Sequence, residues 1–145
     1  MDCVFCTIIK KKEDAAHIFE NDAFIAFMDK YPINTGHTLI LPKEHYQTIS
    51  DMSLKDIGML FSLTSHIAKA VIKAVGADGF SLGQNNGEAA NQIVPHVHVH
   101  IVPRFNNDSE KGRWPSRKTV SLSELSEVAG RIRKFIEPMT LDSQL

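Results

Sequence analysis

The chain has little that would tie it to a membrane, a polyanion or an oxidising compartment. Its 145 residues include only 2 cysteines, 1 tryptophan, 2 tyrosines and 6 prolines, and the formal net charge is −1. So balanced a charge supplies no broad cationic surface, which excludes binding of a nucleic acid polymer by general neutralisation of phosphates. No apolar run approaches the roughly 20 residues that span a bilayer. Met1-Asp2-Cys3 opens without a basic-then-apolar signal segment, so a cytoplasmic location and no membrane partner are expected. Two cysteines in such a chain are a metal pair or free thiols rather than a disulfide. The length suits one domain over residues 1–145, with one core and one active site.

What the chain does have is histidine. Of 7 in all, three alternate with apolar residues in Pro95-His96-Val97-His98-Val99-His100-Ile101-Val102-Pro103-Arg104-Phe105. Successive side chains of a strand point to opposite faces. His96, His98 and His100 therefore share one face, and Val97, Val99 and Ile101 turn the other way into a core. Three neutral imidazoles can hold one metal ion. Alternatively, one is a nucleophile and its neighbours position a charged substrate. The spacing alone leaves both open.

Around this strand the segments group by type. Cys3-Val4-Phe5-Cys6 reads as a turn running into Thr7-Ile8-Ile9, and Lys10-Lys11-Lys12 as a solvated stretch. Residues 17–20 and 23–28, separated by Asn21-Asp22, predict a hairpin, and 37–42 and 79–85 two further strands. From Ser53 the period changes. Leu54, Ile57, Leu60, Phe61, Thr64, Ile67, Ala68, Val71, Ile72 and Val75 form the buried stripe of one long helix, capped by Ser53 with Asp56 and stopped at Gly76. A second helix near 122–136 carries Leu122, Leu125, Val128, Ile132, Phe135 and Ile136 on one face, with Ser121 or Ser123 as its cap. Grouped rather than alternating segments give an α+β class with an antiparallel sheet.

At the histidine strand a family pattern becomes visible. His96-Val97-His98-Val99-His100-Ile101-Val102 resembles the His-x-His-x-His-x-x signature of the histidine triad family. Phe27-Met28-Asp29 and Gly36-His37-Thr38-Leu39-Ile40-Leu41-Pro42-Lys43-Glu44-His45 are similar to that family's second block, and Asn85-Asn86-Gly87 to its third, so that the likeness covers about residues 3 to 105. It implies a five-stranded antiparallel sheet with a long helix and a C-terminal helix. It also implies a homodimer in which two sheets join into one of ten strands. The segment Arg113-Trp114-Pro115 corresponds to one that reaches the partner's site in some relatives.

The resemblance further implies a chemistry. His98 attacks the α-phosphorus of a nucleotide ester, anhydride or phosphoramidate, and water then cleaves the nucleotidyl-histidine. The backbone carbonyl of His96 holds the Nδ1 proton of His98 and leaves a lone pair on Nε2, while His100 donates to phosphate oxygens. Asp29 takes the ribose hydroxyls of a purine nucleotide or nucleotide conjugate, and Phe5, Ile8, Phe27 and Leu39 form the base pocket. Asn85 and Gln92 bind phosphate or leaving group, and His37 stands behind the triad. Some members hold a structural zinc through Cys-x-x-Cys, a histidine after Pro-Lys, and the first triad histidine. Those positions are Cys3, Cys6, His45 and His96 here, which sets aside a metal shared by the three triad histidines.

Two positions depart from the family's commoner Gly-Gln-Ser/Thr-Val-x-His: Asn91 replaces the glycine and Ile93 the hydroxyl residue. A lost hydrogen bond to a charged group is worth about 1.5–3 kcal/mol unless something such as Asn91 or a backbone amide replaces it. Ile93 thus favours a competing expectation, a nucleotide-binding sensor or scaffold with little turnover. His17 and His66 match nothing in the family pattern and are read as structural or surface residues.

Overall fold

A sheet with two strands buried along their whole length organises the chain. In the computed structural model, which describes residues 3–110 and 113–139, the elements run α1 (Val4–Ile9), β1 (His17–Glu20), β2 (Phe24–Met28), β3 (Thr38–Pro42), α2 (Leu54–Val75), β4 (Gly79–Gly83), β5 (Val99–Arg104) and α3 (Leu122–Arg133). Short 3₁₀ turns lie at Ile49–Asp51 and Glu88–Ala90. All neighbouring strands are antiparallel, in the order β1-β2-β3-β5-β4. The α+β class and the five-stranded antiparallel sheet are therefore as the sequence implies.

Every residue of β2 and β3 is buried, which demands cover on both faces. Alternation sends Phe24, Ala26, Met28 and Ile40 to the face packed on α2 and α3, where Leu60, Leu63, Ile67, Leu125 and Ile132 meet them. Ile25, Phe27, Leu39 and Leu41 go to the other face, under Phe5 and Ile8 of α1. The histidine segment obeys the same division. Val97, Val99 and Ile101 join the helix side, so His98 and His100 are left on the α1 side.

Several boundaries differ from the sequence expectation, each for a local reason. The Cys3-x-x-Cys6 turn is the first turn of α1, six residues long and too short to show a period, with Cys3 Sγ accepting the Cys6 N–H at 3.4 Å. Strand β5 begins only at Val99. Upstream, Val97 N–H donates to the Tyr46 carbonyl at 2.8 Å. Pro42, next along β3, has no N–H to extend the ladder, and its carbonyl accepts from His96 Nε2 at 2.8 Å. Helix α3 stops at Arg133 and is capped by Ser121, whose Oγ accepts the Glu124 N–H at 3.2 Å; Leu122 and Phe135 are exposed.

Helix α2 begins and ends where expected. Ser53 Oγ accepts the Asp56 N–H at 3.1 Å, and Gly76 closes the helix in the left-handed conformation at φ 65°. Its buried arc is turned toward α3, so Leu63 and Ala70 are inside, whereas Leu54 is 88% exposed and Phe61 lies at the surface. At 22 residues α2 also meets the length and composition of a bilayer-crossing helix, contrary to the expectation that no segment approaches that length. Its apolar stripe is accounted for by the sheet and α3 beneath it.

One glycine matters for the site. Gly36, at φ 92°, sits immediately before His37, and a Cβ there would stand 3.0 Å from Val75 Cγ1 and 3.1 Å from Pro103 Cγ. Backbone strain and crowding together predict that Gly36→Ala lowers stability by about 2–4 kcal/mol. That corresponds to a drop in Tm of roughly 5–15 °C for a domain of this size. An unchanged melting temperature would contradict this account of Gly36.

Candidate active site

The β2–β3 connection brings the first groups together. Asp29 N–H donates to the His37 carbonyl at 2.9 Å, which sets the two side chains next to each other, and His100 is paired in register with Leu39 on the same face. Partners then fix each ring's tautomer. Ile33 N–H donates to Nδ1 of His37 at 3.0 Å, so the His37 proton is on Nε2. That Nε2–H donates to Nδ1 of His100 at 2.8 Å, which puts the His100 proton on Nε2. Separately, Nδ1–H of His98 donates to the His96 carbonyl at 2.7 Å, leaving a lone pair on His98 Nε2. Among the described residues neither free Nε2 has a hydrogen-bond partner, and both rings line a cavity of about 800 Å³.

Burial governs the charge of these rings. It pushes His37 down to about 4 and His100 down to about 3, and it lowers His98, against the opposing pull of the His96 carbonyl and Asp29. All three are neutral at neutral pH. The nearest anion is Asp29, itself buried. Its Oδ1 accepts the Tyr31 N–H at 2.8 Å and its Oδ2 accepts Arg117 Nη1 at 3.1 Å, with His37 Nε2 3.4 Å away. His98 therefore presents a lone pair to the cavity, His100 an N–H donor and Asp29 a carboxylate.

Most of the residues singled out in the sequence meet here. Phe5, Ile8, Phe27, Leu39, Asp29, Asn85, Asn91 and Ile93 all line the same cavity as His98 and His100. Phe5 points its edge at His98, with ring centroids 5.0 Å apart, and at Phe27, 5.6 Å apart. His37 is fully buried behind His100. Asn91 takes φ 64°, a left-handed conformation that asparagine tolerates better than other side chains do, and this explains how it replaces a glycine. Ile93 stands at the cavity lip, 85% exposed.

Gln92 is placed elsewhere. Its side-chain oxygen accepts the Gly87 N–H at 2.6 Å and its NH₂ donates to the Gln47 carbonyl at 2.6 Å, so both ends of the amide fasten the loop and neither reaches the cavity. His66 donates through Nε2 to the Glu137 carbonyl at 2.6 Å, and His17 lies edge-on to Phe27. Trp114 covers Gly83, where a Cβ would stand 3.3 Å from its ring. The opposite wall of the cavity is formed by Arg117, Lys118, Thr119, Val120, Leu122 and Leu125. Nothing in the sequence pattern marks Arg117, whose contact with Asp29 spans 88 residues.

A second constellation lies on the same α1 side, around His96, two residues before His98. Sγ of Cys3 and Sγ of Cys6 are each 3.6 Å from Nδ1 of His96, Cys6 Sγ is 3.3 Å from Nδ1 of His45, and the two Nδ1 atoms are 3.1 Å apart. A tetrahedral ion with two nitrogen ligands at ~2.05 Å and two sulfur ligands at ~2.3 Å has edges of about 3.3–3.8 Å. Because Nε2–H of His96 is spent on the Pro42 carbonyl, its Nδ1 lone pair faces the sulfurs. Burial and the neighbouring Cys3 sulfur push the Cys6 thiol up, so paired thiolates here require a cation between them. These four residues fit a divalent metal ion with no open position. Asp29, His37 and His100 also cluster, but the facing histidine nitrogens share a proton.

Comparison with known proteins places this geometry among others. The profile of the HIT domain matches residues 10–107. The chain is 39% identical over 139 residues to adenylylsulfatase HINT3 of Arabidopsis thaliana, covering 93% of this chain and 70% of that protein. It is 37% identical over 117 residues to adenosine 5′-monophosphoramidase hnt1 of Schizosaccharomyces pombe, covering 80% and 85%. Among solved structures, a zinc-bound histidine triad family protein from Mycobacterium smegmatis superposes with a TM-score of 0.82 at 32% identity, over 100% of this chain and 99% of that one.

Proposed function

The chain belongs to the HIT domain family, and from that membership and its ring tautomers we propose a nucleotide hydrolase that acts at the α-phosphate of a nucleoside monophosphate conjugate through His98. The observation that carries this reading is the His98 ring, whose Nδ1–H is held at 2.7 Å by the His96 carbonyl so that its Nε2 lone pair is free at the cavity. No external base is needed, because the attacking imidazole is already neutral. Both enzymatic relatives carry an adenosine nucleotide in their names and differ in the leaving group, which supports a purine nucleotide or conjugate as substrate.

In the first step Nε2 of His98 forms a bond to the α-phosphorus, and the bond from phosphorus to the leaving group breaks, its electron pair departing with that group, which, where it is an amine, takes up a proton from solvent. The ring becomes cationic, and the His96 carbonyl faces the proton that then carries the charge. The Nε2–H of His100 donates to a non-bridging oxygen as negative charge gathers there. Water next attacks the phosphorus and gives up one proton to solvent, the bond to Nε2 breaks with its electron pair returning to the ring, and neutral His98 is restored. Positioning supplies much of the rate in such transfers. Asp29 grips the ribose, Phe5, Ile8, Phe27 and Leu39 enclose the base, and Asn85 and Asn91 meet the phosphate or leaving group.

Zinc is the metal that best suits Cys3, Cys6, His45 and His96, since thiolate and imidazole ligands in a closed tetrahedron are its structural mode. It would supply a fixed tie between the N-terminal turn and the segment that carries His98. Reduced cysteines as ligands favour the cytoplasm. A homodimer is supported by β4, one of the two edge strands of the sheet, which carries exposed Phe80 and Leu82.

Intact-protein mass spectrometry tests the chemistry. Within seconds of mixing with an adenosine 5′-phosphoramidate conjugate at neutral pH, a nucleotidyl adduct is expected on the wild type and not on His98→Ala. The exposed Ile93, lacking a hydroxyl at the cavity lip, favours the sensor reading instead. Tight nucleotide binding with neither adduct nor consumption would give that reading the lead.

A further inference from the structure

The HIT domain match ends at residue 107, yet one wall of the cavity is built from beyond it. The segment between Arg113 and α3 has no regular structure of its own. It is fastened to the loop that follows β2: Lys118 N–H donates to the Pro32 carbonyl at 2.9 Å, Lys118 Nζ to the Ile33 carbonyl at 2.7 Å, and Arg117 Nη1 to the Tyr31 carbonyl at 2.7 Å. The same Nη1 donates to Oδ2 of Asp29 at 3.1 Å. Among the described residues Arg117 is the one lysine or arginine within 4.0 Å of that carboxylate.

Counting acceptor positions shows what this contact does. An ionised carboxylate offers about four lone-pair positions. On Asp29 one is taken on Oδ1 by the Tyr31 N–H and one on Oδ2 by Arg117. The His37 proton is committed to His100 at 2.8 Å rather than to Asp29 at 3.4 Å. Two positions remain, one on each oxygen, which is the number that a vicinal diol fills. Without Arg117 the carboxylate would be held by the Tyr31 N–H alone, and the broad terminal torsion of aspartate lets a singly held group turn.

We propose that Arg117 is a specificity-determining positioning residue: it locks Asp29 so that both carboxylate oxygens accept from the ribose diol, and thereby sets a preference for ribonucleotide over 2′-deoxyribonucleotide conjugates. This rests on the proposed nucleotide site, and in particular on Asp29 as the ribose ligand. Arg117 acts through Asp29 and not on the reacting atoms. It lies in the C-terminal segment, beyond the residues that the domain profile matches.

The test is the ratio of kcat/KM for adenosine 5′-phosphoramidate to that for its 2′-deoxy counterpart, measured on the wild type, Arg117→Gln and Asp29→Asn. Both substrates are assayed with one preparation of each protein, so any loss of folded molecules cancels from the ratio. The wild type is expected to prefer the ribonucleotide by about tenfold or more, the worth of one hydrogen bond to a charged group. Arg117→Gln is expected to reduce that preference by about fivefold, mainly through a higher KM for the ribonucleotide, and Asp29→Asn to bring it near unity. A wild-type ratio in Arg117→Gln beside a collapsed ratio in Asp29→Asn would overturn the role of Arg117 and leave the nucleotide site standing. An unaltered ratio in Asp29→Asn would overturn both. A lower KM for the ribonucleotide in Arg117→Gln would mean that the guanidinium competes with the sugar, and would likewise overturn the proposal.

Discussion

With His98 replaced by alanine, turnover of an adenosine 5′-phosphoramidate conjugate is expected to fall by about six orders of magnitude, the loss seen when the nucleophile of a covalent mechanism is removed. No neighbour can take over. His100 receives the His37 proton on Nδ1 and keeps its own on Nε2, so at the cavity it is a donor without a lone pair. His37 is fully buried and its Nδ1 accepts from Ile33. The substrate's grip is made by other groups, so the nucleotide Kd of the variant should stay within a few-fold of wild type. Single-turnover assays alongside equilibrium binding check the two halves of this expectation. Comparable turnover in the variant would remove His98 from the nucleophile's role.

The second large effect concerns stability. Cys3→Ser is expected to abolish stoichiometric zinc binding and to lower Tm by roughly 10 °C or more, because structural zinc contributes folding free energy outright. Kinetic constants per folded molecule should change far less than after loss of His98. The sign follows from linkage: a metal that binds the native chain alone stabilises it in proportion to the logarithm of free metal, so a chelator should reproduce the effect in the wild type. Metal analysis supplies the discriminating control. His98→Ala should retain one zinc per chain, whereas Cys3→Ser should hold none, and the reverse pattern would point to a metal on the triad.

Where sequence and structure agree, a local signal carried the information. The alternation of Val97, Val99 and Ile101 with the histidines fixes which face turns to the core and which to the cavity, and Ser53 and Gly76 mark both ends of α2 with their own hydrogen bonds. Where they part, the deciding partner is distant. The ladder of β5 starts late because of Pro42 and Tyr46. The buried arc of α2 is turned by a helix that lies some 50 residues downstream. Gln92 looks like a ligand by position, yet Gly87 and Gln47 consume its amide. Arg117 belongs to no periodic pattern, and only the folded chain brings it to Asp29.

The His96 carbonyl has a practical bearing on how this molecule can be interrogated. The group that selects the tautomer of His98 belongs to the main chain, so no side-chain replacement deletes it. A scan of the cavity by alanine would assign the whole effect to His98 and leave its activator unscored. Substitutions at His96 would mix the loss of a proposed metal ligand with a shift of the carbonyl. An amide-to-ester exchange at the His96–Val97 bond weakens that acceptor while keeping every side chain, at the added cost of the Val97 N–H that reaches Tyr46. On the proposed mechanism the activation of His98 rests on backbone shape, so substitutions in the surrounding side chains are expected to leave it intact for as long as the strand entry keeps its course.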